Sequence, residues 1–310
     1  MAFADAIVAV FGADRVRGAV TLAPYTTFKV GGPADWLLDT HTSDELVRAL
    51  EIARTAHVPV TILGGGSNVL IGDGGIRGLV IRPRANALDL RAPGEVRADA
   101  GVTINGLVRW TINHGLAGLE AWAGTPGTVG GGIFGNAHYG GRLLGDRVVN
   151  VRLVDTAGHV EDVAAADMDF GYDRSRLQRT GEVLLWAIFA VGRGEPADLR
   201  AVARQSLAHR KRTQPLESPS AGCVFQNPDA ARDRIPSGIP ASAGALIDRA
   251  GLKGRAWGRA RISPAHANFI VNEGGATAAD VRGLIELCRR EVRERFGVEL
   301  VEEVVYLGNS

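Results

Sequence analysis

The chain has 310 residues, more than one ordinary core holds and enough for two or three domains. Hydrophobic content of 45% and charged content of 22% are those of a soluble globular protein, and a net charge of +1 removes any global electrostatic case for nucleic acid. The only cysteines, Cys223 and Cys288, make no disulfide framework, and no apolar run nears the ~20 residues of a membrane span. We therefore expect a cytoplasmic protein with no membrane partner, consistent with a Met1–Asp5 start that lacks a basic region.

After Ser43, read as an N-cap, Asp44 to about Ala56 has helical spacing, with Leu46, Leu50 and Ala53 on one face. Strand-like pieces follow at 58–63, 69–71 and 78–82, making a small α/β unit over 1–85. A second region, 86–195, opens with the alternation of Glu95–Ala100. A helix over Thr103–Gly115 and strands at 148–155, 159–163 and 183–191 follow. Pro196-Ala197-Asp198 starts a helix to about Lys211, with Leu199, Val202 and Leu207 inward, and introduces a third unit, 196–310. The last helix starts at a capping-box-like Thr277 and Asp280; Val281, Leu284, Ile285, Cys288 and Val292 then repeat at helical spacing. Asn227–Ala243, rich in Pro, Ser and Asp, reads as a long loop.

Two glycine-rich stretches punctuate this pattern. One is Gly64-Gly65-Gly66-Ser67-Asn68; the other runs from Gly124 to Gly132 and includes Pro126, Gly127, Thr128 and Gly131. Glycines let backbone N–H groups approach a ligand closely, so such loops suit a diphosphate, although either could be a tight turn. Both sit beside strand-like runs rather than ahead of helices, unlike a dinucleotide-fold or P-loop glycine turn.

Elsewhere, chemistry is concentrated in a few segments. In Ser220–Pro228, Cys223 is either a small buried hydrophobe or a proton donor or nucleophile, since a thiol of pKa near ~8.5 is tunable towards neutrality. Cys288 reads as core. Arg210-Lys211-Arg212 either binds an anion or complements a helix dipole. Phe170–Arg176 places Arg174 and Arg176 beside Tyr172 in a loop, suited to a carboxylate or phosphate or simply exposed. Glu299, Glu302 and Glu303 decorate a C-terminal strand, whose alternation separates Glu302 from Glu303. The histidines show no paired metal spacing, so no metal is expected; His138 and His266 stand in the polar contexts that matter most.

Taken in order, the blocks at Thr27–Ala34, Gly64–Leu70, Pro126–Gly131, Ser220–Pro228, Leu246–Gly254, His266–Asn272 and Glu299–Gly308 resemble the MurB family. These are the UDP-N-acetylenolpyruvoylglucosamine reductases of peptidoglycan synthesis. With no long insertion between Tyr172 and Val183, the chain looks like the shorter, type II branch. The resemblance implies an α+β fold: two lobes of the PCMH, vanillyl-alcohol-oxidase-like type holding FAD, and a third α/β substrate-binding domain. It implies that NADPH reduces FAD, that NADP+ leaves, and that the enolpyruvyl ether of UDP-N-acetylglucosamine then accepts hydride at C3. In the family an arginine and a glutamate stabilise the developing enolate-like charge and a serine protonates C2.

By the same carry-over, Gly64–Asn68 and Gly124, Pro126, Gly127, Thr128 and Gly131 hold FAD, while Tyr139, Arg210 and Asn227 meet the substrate. Glu303 falls on the family glutamate and Cys223 on the family serine. The family arginine after tyrosine is Asp173 here, so Arg174 is expected to take its role, with Arg176 as the alternative. A flavin oxidase with FAD tethered through His138, and a non-catalytic flavin- or UDP-sugar-binding paralogue, are the competing readings. The expected partner is a small-molecule UDP-sugar, with no nucleic acid, acting on a monomer.

Overall fold

The computed structural model describes residues 3–229 and 233–309; Met1, Ala2 and residues 230–232 of the long loop lie outside them. The chain divides into two compact units, each discontinuous in sequence. The first comprises residues up to Val20, Asp35–Gly65 and Arg77–His209. The second comprises Thr21–Ala34, Gly66–Ile76 and Arg210 onward. Residues 21–34 and 66–76, expected with the N-terminal lobe, thus belong with the C-terminal part.

The first unit holds two buried clusters. A four-stranded sheet in the order Arg17–Thr21, Pro33–Thr40, Ile76–Pro83, Val60–Ile62 packs against the Ser43–Thr55 helix. That helix begins one residue earlier than expected, because Thr42 is the N-cap and its hydroxyl accepts from the Glu45 amide at 3.1 Å. Its buried stripe is Leu46, Ala49, Ile52 and Ala53, with Leu50 only half-buried.

A five-stranded antiparallel sheet follows, in the order Val160–Ala164, Val148–Val154, Val183–Ala190, Glu95–Asp99, Leu88–Ala92. Val183–Ala190 is apolar throughout because it has a core on each face. Leu184, Ala187 and Phe189 join one cluster and Leu185 the other. Burying a leucine or phenylalanine contributes roughly 1.5–3 kcal/mol, so this strand fastens both cores.

The Pro196–Thr213 helix differs from expectation in its buried stripe, which is Leu199, Ala203, Ser206 and Arg210. Leu207 is exposed, since a 3.6-residue period places it off the face that 199, 203 and 210 define. Arg210 therefore sits on the buried side at the last turn.

The second unit packs the Ala278–Phe296 helix against a three-stranded antiparallel sheet (Ala256–Trp257, Ala260–Ile262, Ile270–Asn272) and the Ala243–Arg249 helix. The capping box of Thr277 and Asp280 is present. Asp73 adds a second cap, accepting from the Ala278 and Ala279 amides at 2.8 and 3.0 Å. Val281, Leu284, Ile285, Cys288 and Val292 are all buried. Val69–Ile71 pairs in parallel with Val305–Leu307.

Ser220–Pro228, expected to feed a strand, forms only an isolated bridge between Phe225 and Glu302. The Asn268 side chain explains why. Its Oδ1 accepts from Phe225 N at 3.0 Å and its Nδ2 donates to Phe225 O at 2.7 Å, consuming the groups a neighbouring strand would use.

Candidate active site

In the first unit Gly64 and Gly65 meet the second glycine-rich loop. A Cβ on Gly65 would lie 2.7 Å from the Gly127 Cα, and one on Gly64 would lie 2.6 Å from the Thr128 Oγ1. Neither glycine has positive φ, so close approach alone demands glycine here. The amides of Gly64, Gly65, Gly66 and Ser67 donate to no other described residue, which leaves a run of donors of the kind a diphosphate takes up.

The first loop does lie between strands, Val60–Ile62 and Val69–Ile71. The second does not: it opens the six-residue helix Val129–Phe134, with Thr128 as N-cap towards Gly131. The small and apolar residues there make a short helix close to the sheet, where a Cβ on Gly130 would crowd Ala100 O at 3.2 Å. Asn105, which nothing in the sequence singled out, secures this loop. It donates to Thr125 O at 3.1 Å and accepts from Gly124 N at 2.7 Å. The cradle therefore fits FAD: it offers unclaimed amides, glycines at the close approach and a pinned backbone.

Beyond that helix the same segment reaches the 170–176 loop. Asn136, fully buried, donates to Gly171 O and accepts from Gly145 N, each at 2.7 Å. Ser175 Oγ, on a fully buried residue, donates to Phe134 O at 2.7 Å. Between these clamps Asp173 adopts φ 50°, a left-handed conformation that costs an L-residue about 1 kcal/mol and that aspartate tolerates better than most.

Asp173 Oδ1 lies 3.0 Å from His138 Nδ1 with its side chain 9% exposed, and the imidazole packs on the Tyr172 ring at 4.6 Å. Arg174 points elsewhere: 55% exposed, it pairs with Asp169 at 3.2 Å. Arg176 is bound to Glu182, whose carboxyl the guanidinium holds below the usual carboxylate range. Tyr139 donates from its hydroxyl to Ser206 O at 3.3 Å.

In the second unit the Cys223 and Glu303 segments lie side by side. Val224 O, one residue after the thiol, accepts from the Glu303 amide at 2.8 Å, and Val224 N donates to Asn268 O at 2.9 Å. The Glu303 carbonyl accepts from Asn68 Nδ2 at 3.0 Å, so this residue's backbone is held at both ends. Asn68, expected at the cofactor, thus spends its side chain on Glu303. Glu302 is bound instead to Arg282 at 2.6 Å and Arg289 at 3.4 Å.

Gly66, at φ 62°, has no room for a Cβ against Tyr25 and Thr26, and its carbonyl accepts from Thr27 N at 2.9 Å. Asn227 Oδ1 accepts from Ala243 N at 3.2 Å, and Arg210 is 7% exposed. Burial and the charge of Lys253 hold the His266 imidazole below its usual range, and its Nδ1 accepts from Asn268 N at 3.2 Å. Asn268 is the second residue that sequence reasoning missed. It lies inside the His266–Asn272 block that carries the resemblance, but only the fold shows that its amide replaces a strand.

Residues 35–164 match an FAD-binding domain family, so the glycine cradle belongs to a flavoprotein and the chain is an FAD-dependent oxidoreductase with NADPH as reductant. Residues 214–307 match the C-terminal domain of UDP-N-acetylenolpyruvoylglucosamine reductase. Proteins of that name from Rubrobacter xylanophilus and Synechococcus sp. strain WH7803 are 42% and 40% identical. The first match covers 93% of both chains; the second covers 93% of this chain and 92% of the relative. The crystal structure of MurB from Thermus caldophilus superposes with a TM-score of 0.79 at 33% identity, over 95% of this chain and 99% of that one. The chain belongs to the UDP-N-acetylenolpyruvoylglucosamine reductase (MurB) family. Among the described residues no helix is long and apolar enough to cross a membrane.

Proposed function

We propose that this protein reduces the enolpyruvyl ether of UDP-N-acetylglucosamine to UDP-N-acetylmuramate, a cytoplasmic step of peptidoglycan synthesis, acting as a monomer on this small molecule. The observation that carries the reading is the 2.8 Å hydrogen bond from the Glu303 amide to Val224 O, which ties the Glu303 backbone to the segment that carries the Cys223 thiol.

Bound FAD supplies hydride to the enolpyruvyl C3, having received it from NADPH. The protein's own groups do the rest. Gly64–Asn68 with Gly124, Pro126, Gly127, Thr128 and Gly131 hold the cofactor. Tyr139, Arg210 and Asn227 bind the substrate; Arg210, buried on its helix face, is suited to phosphate or carboxylate because a guanidinium offers paired donors. As the C2=C3 pair of electrons moves towards C2 and its carboxylate, Cys223 gives its thiol proton to C2. A thiol is a stronger acid than the serine hydroxyl usual at this position, so the exchange preserves general-acid chemistry. A cation stabilises the developing charge, joined by Glu303 as a protonated carboxyl that donates a hydrogen bond. Arg174 is the candidate from sequence, and its pairing with Asp169 requires it to exchange partners. As a functional division along the sequence, distinct from the two packing units, we favour three modules, 1–85, 86–195 and 196–310, although 21–34 and 66–76 group with the second unit and 196–209 with the first.

Anaerobic NADPH oxidation by the flavin-loaded protein tests this reading. Turnover should require the enolpyruvyl UDP-sugar, and the product should carry two added hydrogens. Glu303→Gln and Cys223→Ala should each lower turnover by roughly 10²–10⁴-fold, the usual worth of a positioned acid or charge. Wild-type rates in both would remove the mechanism. Failure of the sugar to reoxidise reduced wild-type enzyme would remove the function.

A further inference from the structure

The family's cation is missing at position 173, and the structure shows what stands there. Both arginines of the loop are engaged by carboxylates, Arg174 at the surface and Arg176 by a largely buried glutamate. Arg174 is more than half exposed and shares Asp169 with Arg179, which lies 2.7 Å from that carboxylate. Arg176 is held by Glu182 and lies 3.6 Å from Glu161. The aspartate itself is turned inward. Its side chain is nine-tenths buried, Oδ1 meets His138 Nδ1 at 3.0 Å, and Oδ2 has no hydrogen-bond partner among the described residues.

The imidazole is held by that carboxylate and by the Tyr172 ring at 4.6 Å, and the loop carrying both is anchored by the Ser175 hydroxyl donating to Phe134 O. Asn136 ties the backbone two residues before His138 to Gly171, two residues before Asp173. The histidine and the aspartate are thus presented as one preorganised pair, joined to the helix that the FAD-cradle loop opens.

We propose that His138 supplies the positive charge that the family draws from arginine, with Asp173 as its positioning residue. This rests on the reductase reading above. A carboxylate on Nδ1 selects the tautomer with the proton on that nitrogen and fixes the orientation of the ring. When the ring is protonated, the Nε2–H is a charge-assisted donor to the substrate carboxylate. Hydride adds at C3, the C2=C3 electron pair passes into the C2–carboxylate unit, and the Nε2–H bond strengthens onto the oxygen that gains charge. The thiol proton of Cys223 then moves to C2, returning the pair to a C–H bond. His138 keeps its proton throughout. Asp173 is thus half of a two-residue replacement, which accounts for both the departure from the family motif and the buried, left-handed aspartate.

The two half-reactions of the flavin-loaded enzyme, followed separately by stopped-flow absorbance, test this. His138→Gln should slow flavin reoxidation by the enolpyruvyl UDP-sugar at least 100-fold and leave flavin reduction by NADPH within threefold. His138→Arg should reoxidise at least tenfold faster than His138→Gln. Asp173→Asn should slow reoxidation about tenfold, and Asp173→Glu should recover at least threefold over it. Arg174→Gln should slow reoxidation less than His138→Gln. Reoxidation of His138→Gln within threefold of wild type, equal slowing of both half-reactions, or a larger loss in Arg174→Gln would each overturn the proposal. Wild-type enzyme that the sugar fails to reoxidise refutes the reductase reading itself, before any variant is compared.

Discussion

Replacing Gly65 with alanine tests the cradle most directly. The new Cβ would stand 2.7 Å from the Gly127 Cα, 3.3 Å from its carbonyl carbon and 3.4 Å from its nitrogen. Ordinary carbon–carbon contact needs about 3.5–4.0 Å, so the loops must part by roughly 1 Å. Every atom struck is backbone, and the struck loop is pinned by Asn105 and by the Ile104 amide donating to Gly127 O at 3.0 Å. Neither side can yield by rotating a side chain. Overpacking of this kind costs about 1–3 kcal/mol, which spent on the bound form is roughly a 5- to 150-fold loss of FAD affinity.

Gly64→Ala should cost less, because its nearest atom is the Thr128 hydroxyl, a side-chain group. Gly192→Ala, with nothing within 4 Å of its Cβ, is the control. FAD titration of the apoproteins by flavin fluorescence quenching gives the ranking. If Gly65→Ala binds FAD as tightly as Gly192→Ala, the reasoning about the two loops fails.

Other consequences are equally measurable. Asn268→Ala leaves Phe225 N and O without the bonds at 3.0 and 2.7 Å; two buried hydrogen bonds should cost about 2–4 kcal/mol in urea denaturation, and turnover should fall with the Cys223 segment loosened. Burial pushes the Cys288 thiol up to about 12, so alkylation at mild alkaline pH should label Cys223 alone until the protein unfolds, as peptide mass spectrometry will show. The Arg15 guanidinium holds Glu45 down to about 2 from 4.5, with bonds of 2.7 and 2.9 Å. A depressed acid stabilises the fold above its unfolded value and loses that contribution as pH falls through the folded one. Wild type should therefore lose about 1 kcal/mol more than Glu45→Gln between pH ~5 and ~2, the figure reduced for solvent screening of a part-exposed pair. Equal acid sensitivity in the two proteins would count against that ion pair.

What could be read from the sequence follows the range of the forces involved. Helices with strong local signals were legible: the Thr277–Asp280 capping box and the apolar stripe through Val292 stand as expected. The Thr42 cap and the stripe through Arg210 differ from the expectation by one position and one face, because a single turn offers adjacent hydroxyls and leucines of similar merit. The helix that the second glycine loop opens leaves no local trace, since glycine and valine carry no helical signature over six residues. The long-range bonds lay beyond any local pattern. Nothing in the sequence couples Asn268 to Phe225, Asn68 to Glu303 or His138 to Asp173, and these pairs decide how the candidate catalytic groups are held. Motif order supplied the cofactor and the reaction, and the fold supplied the partners.

The parallel pairing of Val69–Ile71 with Val305–Leu307 sets a schedule for the newborn chain. At roughly 5–20 residues per second, a ribosome that has made the first of these strands needs about 10–50 seconds to make the second. During that interval the edge that Val305 will cover is unpaired, and so is the Asn68 amide that will hold the Glu303 carbonyl. Chaperone engagement should therefore concentrate on nascent chains that have passed residue 76 and have not yet released residue 307. Substitutions that make Val69–Ile71 stickier should lower soluble yield in the cell without changing the stability of the finished enzyme.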